Sequence, residues 1–185
     1  MITSLLRVIA GDYKGRILKT PKGRSTRPTG DRVKEAIFSM IGPYFTQESC
    51  LDVFAGSGAL GIEALSRGVQ YATFIDKESV AIINENVSNL RLTDRVTIFR
   101  MNFKQAFMHL HEQGAMFDLV FADPPYSALL LSSCLDALVQ LTLLAPQALV
   151  IAEMHSESAT PDIPGLLCSK EAIYGITKIA VFRFA

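Results

Sequence analysis

Apolar and polar positions along this chain fall into blocks that switch between a period of two and a period of about 3.6, and the switches occur at glycine, proline and asparagine. Residues 5–10 and 16–19 read as two strands around Gly11-Asp12-Tyr13-Lys14-Gly15, a hairpin with turn residues at its tip. Residues 21–30 read as an extended loop. A helix is predicted over 32–41, with Asp31 as its N-cap, Val33, Ile37, Met40 and Ile41 on its apolar face, and Gly42-Pro43 ending it. Strand and helix blocks then alternate: strands over 50–54, 71–75, 96–99, 117–122 and 148–152, and helices over 59–67, 79–90, 103–111 and 128–141, with Ser79 as a cap for the second of these. The tail from 170 to 184 reads as two strands around Gly175.

This alternation predicts an α/β fold: a doubly wound, mostly parallel Rossmann-like sheet with an antiparallel edge and an N-terminal β-hairpin extension. The expected organisation is a basic hairpin and loop over 1–30 appended to a core domain over 31–185. With 185 residues, 49% of them hydrophobic, the chain can bury a full core without disulfides. Cys50, Cys134 and Cys168 are odd in number and widely spaced, which argues for reduced thiols in a cytoplasmic protein and against a metal site. No signal peptide is recognised, and the apolar stretch over 129–151 is interrupted by Asp136, Gln140, Pro146 and Gln147, so no membrane segment is expected. A monomer is expected, because no large apolar face is left unassigned.

Net charge is zero, yet it is unevenly distributed. Residues 1–34 hold nine basic side chains against Asp12 and Asp31, a net of +7, which leaves −7 on the remainder. A basic segment of this kind suits a polyanion.

Two strings carry the chemistry. In Leu51-Asp-Val-Phe-Ala-Gly-Ser-Gly-Ala-Leu-Gly61, a buried strand runs into a glycine turn and then a helix, so Phe54, Gly56, Ser57 and Gly58 can let a nucleoside cofactor approach the backbone. Asp52 just before the turn suits a cationic amino group and disfavours a pyrophosphate. Asp76, at the end of the next strand, can accept the protons of a ribose diol, with Glu78 as its rival. Asn102 and Phe103, after the third strand, can contact and cover an adenine, although an Asn cap and a core Phe fit the pattern too. In Asp118-Leu-Val-Phe-Ala-Asp-Pro-Pro-Tyr126, the carboxylate of Asp123 and the Pro124 carbonyl can take both hydrogens of a conjugated exocyclic amine, which restores its lone pair for attack. The first proline, Pro124, removes a donor and helps fix that geometry, and Tyr126 can stack on the base. Strands that end side by side in an open sheet share one crevice, so both strings are expected to face it.

The chain resembles the RsmD family of bacterial class I methyltransferases. The matching strings are Arg7-Val-Ile-Ala-Gly11, Lys14-Gly-Arg-Ile-Leu18, Arg27-Pro-Thr29 with Asp31-Arg-Val33, Leu51 to Gly61 continued through Glu63-Ala-Leu-Ser-Arg-Gly68, and Asp123-Pro-Pro-Tyr126. The resemblance implies transfer of a methyl group from S-adenosyl-L-methionine to N2 of a guanine in 16S ribosomal RNA, within the small ribosomal subunit or an assembly intermediate. It implies Asp52, Gly56 and Gly58 for the methionine half of the cofactor, Asp76 for its ribose, and Asp123, Pro124, Pro125 and Tyr126 for the base; Phe54, Ser57, Asn102 and Phe103 are expected beside the cofactor from their places in the chain, and Asn102 stands where related methyltransferases often carry Asp. Arg7, Lys14, Arg16, Arg27, Thr29 and Arg32 are expected to face RNA. The other readings are a DNA adenine-N6 methyltransferase, a nicotinamide-binding oxidoreductase and a non-catalytic RNA-binding module. His109, His111, His155 and Glu153 receive no role.

Overall fold

The computed structural model describes residues 6–21, 29–125 and 128–185, apart from the side chains of Thr29 and Ala128. Arg27 and Tyr126 lie outside the described residues. Helix α1 (Thr29–Ile41) precedes an alternating series: β1 (Ser49–Val53), α2 (Ala59–Ser66), β2 (Tyr71–Asp76), α3 (Val80–Asn89), β3 (Val96–Arg100), α4 (Phe103–Glu112), β4 (Phe117–Ala122), α5 (Ala128–Gln140) and β5 (Leu144–His155). An antiparallel pair, β6 (Leu166–Tyr174) and β7 (Thr177–Phe184), closes the chain. The seven strands form one sheet in the order β3-β2-β1-β4-β5-β7-β6, parallel through β5 and antiparallel beyond it.

Strands β1 and β4 are nearly continuous apolar runs because both of their faces are covered. Leu51, Val53, Phe107, Val120, Leu135 and Phe182 belong to the core on the α4–α5 face. The opposite face buries Phe38, Ile62, Phe74, Phe121 and Ile151 together with Val8 and Leu18 of the N-terminal segment. Strand order reverses between β1 and β4, the position at which an open α/β sheet leaves a crevice. No described helix is long and apolar enough to cross a membrane.

Five local expectations need correction. Among the described residues, the N-terminal segment makes a single antiparallel bridge, Arg7 with Ile17, in place of two full strands. The backbone donors of Ile9 and Ala10 go to the Glu63 carboxylate, and those of Asp12 and Tyr13 go to the Ser66 carbonyl and hydroxyl, so they are not available across the hairpin. A Cβ on Gly11 would sit 1.8 Å from the Ser66 carbonyl oxygen, so the close packing on α2 admits only glycine there. Helix α1 begins before the expected Arg32, which puts Asp31 inside the first turn, 3.1 Å from Arg7 Nε, and not at the cap. Ser79 holds the N-cap position of α3 without a side-chain cap; Asp76 accepts from the backbone N–H groups of Glu78 and Ser79 instead. Strand β5 extends well beyond 148–152 at both ends, because Pro146 and Gln147 (φ 65°) are absorbed in a register shift between β4 and β5 and do not terminate the strand. The edge strand β6 also begins before 170; its side chains are mostly exposed on both faces, so no alternation marks it.

Candidate functional site

Both sequence strings end at the same place. Strands β1 and β4 pair in parallel with Val53 opposite Ala122, so Phe54 and Asp123 are the next residues out of two adjacent strands. Above them lies a cavity of about 1020 Å³, at the upper end of the range for small-molecule sites. Its walls bring together Phe54, Asp76, Asn102, Phe103, Asp123, Pro124 and Pro125 from the residues expected to be functional.

The glycine turn is held from below. Asp52 is 3% exposed, and its Oδ2 accepts from Gly61 N at 2.9 Å. Burial pushes the Asp52 carboxyl up to about 8, with the negative charges of Asp123 and Asp76 adding to the rise and the Gly61 bond opposing it. Phe54 leaves the strand with φ 62°, a backbone conformation that costs a non-glycine residue energy and here turns the chain into the loop. Gly56 (φ 58°) donates to Asp76 Oδ2 at 2.9 Å, and Gly58 caps α2 with φ 78°. A Cβ on Gly56 would meet nothing nearer than the Phe54 carbonyl oxygen at 4.0 Å, so the space over the turn is open. The third glycine of the pattern has a packing role, since a Cβ on Gly61 would lie 2.4 Å from the Phe74 ring.

Asp76 is held by backbone through both of its oxygens. Its two oxygens accept from Gly56 N, Glu78 N and Ser79 N at 2.7 to 2.9 Å, tying the end of β2 to the turn and to the start of α3. Glu78 lines the cavity and is exposed. Asn102 is a true N-cap, with Oδ1 accepting from Gln105 N at 3.0 Å and Nδ2 donating to Gln105 Oε1 at 2.6 Å. Phe103 is buried in an aromatic chain, edge-on to Phe54 at 5.6 Å and to Phe107 at 5.4 Å, and it lines the cavity from within the core. Asp123 is exposed and Pro124 is buried.

The cations expected to face RNA separate into two places. Leu6 and Gly30 line the cavity, which sets Arg7 and Arg32 near its mouth, both exposed. Lys14 and Arg16 sit at the hairpin tip, where Asp12 and Tyr13 bond Ser66 at the end of α2 and Arg16 Nη2 bonds Asn89 O at the end of α3. Both helices run back from the strand ends that form the crevice, so the tip lies about 12 Å of helix away from it.

Sequence reasoning missed a buried ionic node. Glu63, with no exposed surface, accepts from Arg67 Nε at 2.8 Å and from the amides of Ile9 and Ala10, and it pairs with Lys34 Nζ at 3.3 Å. Lys34 is 3% exposed, also donates to the Arg7 carbonyl and lines the cavity. Burial holds the Lys34 ammonium below its ordinary value, more than Glu63 can restore. The available signal was the placement of Glu63 beside Ile62, Leu65 and Ser66, on what periodicity makes a buried face. Lys77, Lys104 and Glu153 are further cavity residues without a sequence assignment.

Comparison with known proteins places the chain. Residues 6–183 match the family model described as "Conserved hypothetical protein 95". Ribosomal RNA small subunit methyltransferase D of Escherichia coli (strain K12) is 37% identical over 159 residues, 86% of this chain and 79% of that protein. The protein of the same name from Haemophilus influenzae is 35% identical over 182 residues, 96% of this chain and 93% of that one. A solved structure described as a conserved hypothetical protein of Streptococcus pyogenes is 39% identical, with a TM-score of 0.76 over 82% of this chain and 95% of that chain. The chain therefore belongs to the RsmD family of methyltransferases, and its sheet has the Rossmann-like fold of the solved relatives. The site fits S-adenosylmethionine: open space over Gly56, an apolar wall from Phe54, Met101 and Phe103, and the Asp76 and Asp123 carboxylates on the cavity wall with Asp52 buried beneath the turn, close enough to feel their charge, a set suited to a sulfonium and an ammonium.

Proposed function

We propose that this chain methylates the exocyclic N2 amine of a guanine in small-subunit ribosomal RNA. The carrying observation is the placement of Asp123 and Pro124 directly beside the glycine turn, through the Val53–Ala122 register. The names of the relatives supply the polymer class.

When bound, S-adenosylmethionine supplies a methyl group on a positively charged sulfur. Asp52 would hold its ammonium, Asp76 and Glu78 would face its ribose, and Phe103 with the first turn of α4 would bound its adenine. An aromatic amine is a weak nucleophile because its lone pair is delocalised into the ring. The Asp123 carboxylate and the Pro124 carbonyl accept its two N–H bonds, favour a pyramidal nitrogen and aim the lone pair at the methyl carbon. Pro124 is buried and has no N–H, which fixes its carbonyl and removes a competing donor. As the N–C bond forms, the nitrogen becomes acidic, and Asp123 takes its proton and passes it to solvent. Tyr126 is assigned the face of the base, and Arg27 and Thr29 the approach of RNA. Arg7, Lys14, Arg16 and Arg32 would contact phosphates, a footprint that reaches from the crevice to the far end of α2. This breadth suits a folded RNA particle from which one base is unstacked.

Transfer from isotopically labelled S-adenosylmethionine to unmethylated small ribosomal subunits, naked 16S RNA and duplex DNA, followed by nucleoside analysis, tests the reading. The expected product is N2-methylguanosine from ribosomal substrate. Label in N6-methyladenine from DNA alone would overturn it.

A further inference from the structure

We infer that Glu153 reads the Watson–Crick edge of the acceptor base and makes this site accept guanine and reject adenine; the inference rests on the base-amine reading above. The cavity is also lined by residues that the cofactor reading does not use, Val33, Lys34 and Ile37 of α1 and Glu153 and Thr177 of β5 and β7. The sheet sets Glu153 there. Strands β4 and β5 pair with Ala122 opposite Ala152, so Asp123 and Glu153 emerge side by side from strands about 4.8 Å apart. Along β5, Ala152 packs into the α4–α5 core and Ile151 into the opposite one, so alternation turns Glu153 to the face that α1 covers.

A base whose amine is held at Asp123 presents its next ring atom toward Glu153. In guanine, the neighbour of the 2-amine is N1–H, a donor that a carboxylate accepts. In adenine, the neighbour of the 6-amine is an unprotonated N1, whose lone pair a carboxylate repels. Two adjacent carboxylates therefore match the N1–H and 2-amine edge of guanine and mismatch adenine. The half-buried position of Glu153 strengthens that discrimination, because water cannot fully replace the lost bond.

The test uses reconstituted small-subunit particles in which the mapped target guanosine is replaced by 2,6-diaminopurine riboside or 2-aminopurine riboside. Both analogues keep the 2-amine and lack the N1 proton. The wild-type protein is expected to methylate each about 100-fold less efficiently, in kcat/KM, than guanosine. Glu153→Gln can turn its amide to donate to N1, so its preference for guanosine is expected to fall below about tenfold while S-adenosylmethionine affinity by calorimetry stays unchanged. Equal wild-type rates on guanosine and both analogues would overturn the inference even if the variant did not fold. A Glu153→Gln protein that kept the wild-type preference would overturn it as well. Absence of label in the guanosine particle itself would remove the parent reading and this one together, which distinguishes the two failures.

Discussion

Binding of S-adenosylmethionine is expected to expel a proton from Asp52. The carboxyl is pushed up to about 8 by burial and by the charges of Asp123 and Asp76, so at pH 7 roughly nine molecules in ten carry it protonated. An ammonium placed against it lowers such a value by about one to three units. Taking two, affinity follows the ratio of ionised fractions and tightens about fivefold from pH 6 to pH 7, with about half a proton or more released at pH 7. The sign is fixed because the bound form has the lower value, so affinity rises with pH until the cofactor's own amine, near 8, begins to lose its charge. Calorimetry in buffers of different ionisation enthalpy counts the protons directly. The same burial makes Asp52 unfavourable for folding: its folded value lies above the unfolded 3.8, so its contribution is best below pH 4, declines through pH 8 and is flat beyond. Asp52→Asn should thus unfold at higher urea concentration than wild type at pH 7, release no proton and bind the cofactor far more weakly. A wild-type affinity independent of pH between 6 and 7.5, with no buffer dependence of the heat, would reduce Asp52 to a support for Gly61 and refute its assignment to the ammonium.

Asp123→Ala is expected to lower kcat at least about 100-fold while the cofactor dissociation constant changes by less than about threefold, measured by single-turnover transfer and calorimetry; wild-type turnover would exclude the amine-positioning role. Glu63→Ala leaves Lys34 and Arg67 buried without their carboxylate and frees the Ile9 and Ala10 amides, so urea unfolding should show a loss of about 3–5 kcal/mol; a loss under 1 would mean that water replaces the carboxylate in the node. The double variant Lys14→Ala with Arg16→Ala should weaken ribosomal particle binding uniformly and flatten its log-affinity against log-salt slope by about 1.5 to 2, with cofactor affinity unchanged; an unaltered slope would take the hairpin tip out of the RNA footprint.

The central architecture was legible because its signals are local. Cys50 to Val53 and Phe117 to Ala122 are short apolar runs that can only be doubly covered strands, and the glycines that follow the first announce the turn. Adjacency of the two motifs followed from strand order alone. What escaped depended on partners distant in sequence. Nothing near Ala10 or Tyr13 shows that their amides are taken by residues 53 positions away, so the N-terminal segment reads as an ordinary hairpin. The competing roles of Asn102 and Asp76 likewise needed coordinates, because capping and ligand binding ask for the same residue types at the same strand ends. Glu153 is a single carboxylate in an apolar strand, and its meaning appears only when the register sets it beside Asp123.

The buried node explains how phosphate contacts and chemistry can be held in one frame. Glu63 joins α2, which starts at the glycine turn, to the hairpin through Ile9 and Ala10, and to α1 through Lys34, which itself lines the cavity. Cations of the N-terminal segment and the wall of the acceptor space are thus fixed to the same helix that carries the cofactor turn. A carboxylate with four partners in a dry interior is rigid, since losing any one leaves charge unsatisfied. An RNA particle docked on Arg7 and the hairpin tip would therefore deliver its unstacked base at a set height over Asp123, and neighbouring guanines along the strand would miss the carboxylates. On the function proposed above, selectivity for one nucleotide would follow from that fixed offset, with no base contact needed other than the one in the pocket.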